Sequence, residues 1–79
     1  MKMKLLGSLV TNPSDDTIGS ATLVRVVVSS AVTLTHKLAA GSTVGTIRIP
    51  ANGVIDLVKD STDTISCATS FCTKIAYIS

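Results

Sequence analysis

Cys67 and Cys72, in "SCATSFC" (66–72), are the two thiols of a 79-residue chain, and their C-x4-C spacing is the first place to look for chemistry. A zinc site made from cysteine alone needs four ligands, and no second pair stands beside this one. A local disulfide needs Cα atoms within about 7 Å, which a tight turn over 67–72 permits. With no secretion signal expected, a reducing compartment favours two buried free thiols packing as small apolar groups. Both readings stay open, and a redox role has no further residue behind it.

His36 is the single histidine. A Ser–His or Cys–His pair needs a nucleophile within hydrogen-bond reach, and the chain has no G-x-S-x-G elbow. A hydrogen-bonded histidine at a sheet or subunit boundary is therefore expected. The carboxylates are all aspartates, with Asp15 and Asp16 in one loop, Asp60 and Asp63 in another, and Asp56 before the second. Calcium takes six to eight oxygens, more than "DSTD" supplies, so capped turns are the expectation. Pro13 after Asn12 removes a glycosylation sequon, and the isolated Gly41, Gly45 and Gly53 form no phosphate cradle. The sequence thus offers no catalytic residue, no metal-ligand set and no cofactor site.

The elements that carry these residues read as β structure. The chain is 46% hydrophobic and 15% charged, without Glu, Gln or Trp. Losing good helix formers while keeping many β-branched residues favours pleated strands. At this length one domain is expected, 1–79, with 1–19 as a first strand or arm plus loop, and its own core is thin. The net charge of +2 is scattered, and Phe71 and Tyr77 are the only aromatics. Nucleic-acid binding, which uses a basic stripe with stacking aromatics, is not expected. The apolar run Leu5–Val10 is too short and broken for a signal peptide, and nothing approaches the roughly 20 apolar residues of a membrane span.

Alternation locates the strands. In "VTLTHKL" Val32, Leu34, His36 and Leu38 share one face, and threonines cover the other. "SATLVRVVV" is apolar on both faces, so it is either central in a sandwich or covered by another subunit. "TIRI" sends Ile47 and Ile49 inward, and "VIDLVK" sets Ile55 and Leu57 against Val54, Asp56 and Val58. "KIAYIS" places Ile75 and Tyr77 on one face, Ala76 and Ile78 on the other. "SSA" (29–31) is short enough for a hairpin, "AAGSTVG" (39–45) reads as a flexible connection, and Asn-Gly in "PANG" (50–53) is a strong hairpin signal. In "TNPSDDTIG" (11–19) and "KDSTDT" (59–64) aspartates are expected to close Asx-type turns. Residues 66–72 lack alternation and read as a helical turn or crossing loop. The predicted fold is all-β, a small antiparallel β-sandwich or barrel-like fold of six to seven short strands.

From Arg25 to Ser79 the chain resembles the small β-sandwich virion proteins of tailed, mostly marine, bacteriophages. The likeness rests on "VVVSS", "TIRIPANGVIDLVKDSTDTI" and the closing "KIAYIS", and departs where Cys67, Phe71 and Cys72 replace expected small residues. It implies a non-enzymatic structural protein of the virion, made in the host cytoplasm: a capsid decoration or cement protein. The implied partners are copies of itself, as a homo-oligomer with a trimer favoured, and the major capsid protein or another virion protein. Nucleic acid and membrane are not among them. Within that picture the N-terminal arm, with Leu5, Leu6 and Leu9, supplies an edge strand to the capsid, and Arg25 and Arg48 serve as polar interface anchors. A tail, neck or fibre accessory protein is the alternative. A small carbohydrate-binding adhesion module is the further one.

Overall fold

Eight strands, with no helix among the described residues 2–78, form two packed antiparallel sheets in a computed structural model of the chain. In chain order they are β1 (Lys2–Leu5), β2 (Val10–Thr11), β3 (Leu23–Val28), β4 (Val32–Lys37), β5 (Thr43–Ile49), β6 (Val54–Val58), β7 (Thr64–Ser66) and β8 (Ser70–Ile78). The larger sheet runs β1-β8-β3-β6, with β2 also pairing β8, and the smaller runs β5-β4-β7. The all-β, two-sheet expectation is met. The strand number is higher than six or seven because β2 and β7 are too short to show alternation. The side chain of Ile78, placed by the sequence opposite Tyr77's face, lies outside the described residues.

The core forms because alternate residues of facing strands meet between the sheets. β3 contributes Val24, Val26 and Val28, β4 Leu34, β5 Ile49, β7 Ile65 and β8 Cys72, with Ile18, Ala21 and Cys67 added from connections. The apolar β3 is central, held by β8 on one side and β6 on the other. On β6 the expected faces appear, with Ile55 and Leu57 half-buried and Val54 and Val58 exposed. Ile47, expected inside, points towards the gap between the sheets but stays exposed because β5 is an edge strand there.

The connections correct several sequence expectations. "SSA" is not a hairpin: β3 and β4 lie in different sheets, and residues 29–31 carry the chain across. "PANG" is not a hairpin either, since β5 pairs β4 and β6 pairs β3. Its turn does form, with Gly53 N–H donating to the Pro50 carbonyl at 3.0 Å and Asn52 in the left-handed region. The strands it joins face each other across the core, because Ile49, Ile55 and Leu57 all have apolar side chains to bury on the inside. The hairpin lies instead at 38–42, where β4 meets β5, with the Leu38 amide bonded to the Ser42 carbonyl and Gly41 at positive φ. In 66–72 the crossing alternative holds and the helical turn does not: Ser66 ends β7, residues 67–69 carry the chain to the other sheet, and β8 already begins at Ser70. Four connections thus cross between the sheets, and only one is a tight hairpin within a sheet.

Gly45 and Gly53 separate two uses of glycine. A Cβ on Gly53 would sit 2.8 Å from both Ile49 Cγ2 and the Pro50 carbonyl, whereas one on Gly45 meets nothing within 4 Å. Gly53→Ala is therefore expected to destabilise by about 1–3 kcal/mol through overpacking. Gly45→Ala, unstrained and uncrowded, is expected to stabilise by about 0.4–1 kcal/mol. Urea unfolding midpoints of the two variants test this, and equal shifts would contradict the crossing geometry of the 50–53 turn.

Candidate interaction surfaces

The outer faces of the two sheets differ sharply in chemistry. On the smaller sheet, Thr33 lies opposite Arg48, Thr35 opposite Thr46 and Ser66, and Lys37 opposite Thr43 and Thr64. That face is threonine-rich throughout, as the sequence predicted for β4, and suits water. On the larger sheet, Val54, Val27 and Phe71 stand in one row with Thr11, and Val58 stands beside Leu23 at the other end. Beyond them Leu5 and Met3 lie opposite Ile75 and Tyr77. Phe71 remains 42% exposed, Val58 75% and Leu5 64%, although these are the residue types a thin core needs most. Ile75 is buried on this side, outside the main cluster.

Between the two apolar rows sits a polar one. Arg25 Nε donates to Asp56 Oδ1 at 2.9 Å and Nη2 to Asp56 Oδ2 at 3.0 Å, a bidentate pair across β3 and β6. Arg25 Nη2 also donates to Tyr77 Oη at 2.7 Å, and the Tyr77 hydroxyl in turn donates to Asp56. The guanidinium holds the Asp56 carboxyl below its usual range, Asp56 raises Arg25 in return, and its acceptance of the Tyr77 proton pushes that phenol up. Arg25, implied by the resemblance as a polar anchor, is thus committed within its own chain. Arg48 is exposed on the threonine face, and no ion pair among the described residues includes it. Leu5, Leu6 and Leu9 are all exposed.

A second polar cluster sits inside. Lys59 is only 4% exposed, and its ammonium donates to the carbonyls of Ala21 at 2.8 Å, Asp63 at 2.9 Å and Asp60 at 3.2 Å. Burial pulls its pKa below the ordinary lysine value, with Asp63, Asp16 and Asp60 opposing. Asp63, also buried, accepts from His36 Nε2 at 2.9 Å and from the Asp60 amide at 3.2 Å. His36 keeps the carboxyl below its usual range, while burial works the other way. The predicted Asx bond appears at Asp16, whose Oδ1 accepts the Ile18 amide at 2.7 Å; in 59–64 it does not, since Asp63 reaches back to the Asp60 amide and the turn closes by the Asp63 amide donating to the Asp60 carbonyl at 3.0 Å. Asp15 instead joins Ser66 of β7. The role of Lys59 had no sequence signal beyond one lysine ending an alternating strand.

His36 also borders a cleft of about 420 Å³ between the edge strands β5 and β6, lined by Leu34, Val44, Ile47, Ile55 and Leu57. Gly45, opposite His36, leaves that space open, and a bulge at His36/Lys37 sets Val44 at its mouth. Among the described residues no serine, threonine or cysteine hydrogen-bonds to the imidazole, so the Asp63–His36 pair orients a ring without activating a nucleophile. No three His, Cys, Asp or Glu side chains among the described residues gather as a metal site. Cys67 and Cys72 are both buried free thiols, Cys67 Sγ donating to the Ala68 carbonyl at 3.7 Å, and burial pushes the Cys72 thiol up to about 11. A neutral, enclosed thiol is a poor nucleophile.

Fold and surface together define a two-sheet antiparallel sandwich whose reactive groups are tied into structural networks and whose larger sheet carries an apolar outer face. Compared with protein families, curated proteins and solved structures, the chain matches none.

The carboxylates and the thiols give separate tests. Asp63 and Asp56 have folded values below their unfolded ones, so the stability they add is complete above about pH 4 and is lost as pH falls through the folded values. Asp63→Asn is expected to lower the urea midpoint at neutral pH and to flatten its fall between pH 4 and pH 2; an unchanged acid slope would contradict the His36–Asp63 bond. For the cysteines, a chromogenic thiol reagent should label almost nothing in the native chain and two thiols per chain in denaturant. A titre of zero in denaturant without reductant would mean a disulfide.

Proposed function

We propose that this chain is a non-enzymatic structural protein of a bacteriophage particle, a capsid decoration or cement protein that associates with itself and docks on the shell. The observation that carries the reading is the distribution of apolar side chains. Among the described residues twelve large apolar or aromatic side chains are exposed, against eight buried ones of comparable size. A catalyst of this size would be expected to spend such groups on its core and to assemble polar groups at a cleft. Here the cleft is lined mainly by apolar side chains, and the charged groups at it, His36 and Asp56, are already bonded to Asp63 and Arg25.

The mechanism is linkage. A protein that binds the assembled shell and not its free subunits lowers the free energy of the shell by mass action, and several attached copies multiply weak individual contacts. β1 supports the attachment role drawn from the resemblance. It ends the strand order of the larger sheet, so its outer backbone groups face no strand of this chain among the described residues. Strand addition uses such an edge, and Lys2 and Lys4 along it discourage indiscriminate pairing.

The test is co-sedimentation of the purified chain with empty shells assembled from the major capsid protein of the same phage. Saturable binding and a shell melting temperature raised by several degrees are expected. Binding to isolated tails and not to shells, or to neither, would overturn the decoration role.

A further inference from the structure

We infer that β5 is a self-pairing edge: the β5 strands of two copies add to each other antiparallel about a twofold axis at Thr46, joining their smaller sheets into one. The inference deepens the self-association in the reading above and rests on it; it names the surface, the symmetry and the occupant.

The backbone of β5 is what asks for a strand. β5 ends the order of the smaller sheet, so its outer N–H and C=O groups face no strand of this chain among the described residues. Such edges are ordinarily blunted by shortness, charge or cover, and the other edges here are. β7 is three residues long and is bridged by Asp16, which exchanges two backbone bonds with Ile65 at 3.0 and 3.1 Å. β2 spans two residues, β1 has four with Lys2 and Lys4 among them, and β6 carries Asp56 at its midpoint. β5 has seven residues, no proline, and one charge, Arg48, next to its end. Its bulge stands opposite His36/Lys37 and leaves the run from Gly45 to Ile49 in regular register with β4. All of β5 except Ile49 is exposed, so a strand added there meets no part of its own chain first.

The side chains say that the added strand is β5 itself. A twofold axis perpendicular to the sheet keeps both inner faces on one side, and therefore passes through a residue position of the strand. With Thr46, the midpoint of β5, on the axis, Gly45 of each copy stands opposite Ile47 of the other. These two fit by size. A Cβ on Gly45 would meet nothing within 4 Å, and Ile47, on the same inner face, is 48% exposed. Each glycine leaves room for the other copy's isoleucine, and the two isoleucines close the mouths of the two clefts. An unrelated extended segment would pair with the same backbone, but it need not set a bulky residue against Gly45 and a small one against Ile47. β5 carries both, at equal distances from its own midpoint.

The outer face agrees. Thr46 meets Thr46 across the axis, a favourable cross-strand pair. Arg48 lies two residues beyond the axis in each copy, so the two guanidinium-bearing positions are four residues apart along the ladder, about 13 Å at 3.3 Å per residue. That exceeds the screening length of about 10 Å at 0.1 M salt. Pairing uses up both free edges, so the contact closes at two copies and does not propagate. It differs from the trimer that the resemblance implies, and leaves the β1 edge clear for a shell.

The experiment is light scattering after size exclusion on the full chain, on Thr46→Lys, on Thr46→Glu, on an equimolar mixture of those two, and on Val58→Lys as a control on the other sheet. Thr46 is exposed, so both substitutions are expected to leave the β-type circular dichroism spectrum unchanged. Each alone sets like charges directly opposite one another across the axis, which destabilises a pair; the mixture sets opposite charges there. The wild type and Val58→Lys are expected at twice the 8.1 kDa chain mass. Each Thr46 variant alone is expected at the single mass, with dissociation at least tenfold easier, and the mixture at the doubled mass again. Single variants that stay doubled, or a mixture that stays single, would overturn the axis at Thr46. Loss of the doubled mass in Val58→Lys would overturn β5 as the contact. A wild-type mass of three chains would overturn the twofold symmetry, and a wild-type monomer would overturn self-pairing altogether. Shell attachment is read separately by co-sedimentation, so failure of this contact and failure of the decoration role are distinguishable.

Discussion

Everything in this fold hangs on the inward side of β3. Val24, Val26 and Val28 recur every second residue, so one pleated strand presents three fully buried side chains to the opposite sheet. β8 and β6 bracket that strand by hydrogen bonding, while β4, β5 and β7 must lie above it to keep the valines dry. A chain this short encloses a smaller share of its surface than a larger domain does, so connections are drawn into the core too. Ile18 illustrates the compromise. It is β-branched, yet it takes a φ of 54°, a conformation disfavoured by its Cβ, and its side chain is buried in the core cluster.

Crossing from sheet to sheet leaves loop carbonyls away from any strand partner. Lys59 meets that need by bringing one ammonium to three of them, and the His36–Asp63 bond ties the same loop to β4. Such groups are costly when buried without partners, and among the described residues no buried side-chain polar atom lacks one. The network accounts for the side chains that resemble catalytic parts: the histidine, the aspartates and the lysine brace the end of the sandwich where 59–63 crosses.

The two outer faces then divide the surface. Threonine, serine and lysine cover the small sheet, a hydrated skin. Valine, leucine and the two aromatics cover the large one, around an ion pair that carries no net charge. That division also relates the dual apolar character of β3 to its position, since its inner valines belong to the core while Leu23 and Val27 lie on the outer face.

Much of the local structure was already written in the residues. Alternation marked β3, β4, β5 and β6 and assigned their faces; the absence of Glu and Gln with abundant β-branched residues indicated an all-β chain; Asn-Gly marked a real turn at 50–53. Thr33, Thr35, Val54 and Val58 fell on their expected sides because a strand's period of two fixes side-chain direction from neighbours alone. Sheet membership was decided only in three dimensions. Turn chemistry specifies how the backbone reverses, but whether the next strand pairs beside the last or crosses above it depends on which apolar faces must meet. For that reason "PANG" and "SSA" became crossings, 38–42 became the hairpin, and Lys59, Asp56 and Tyr77, as far as 52 positions from their partners in the chain and as near as one, found roles that no local pattern encodes.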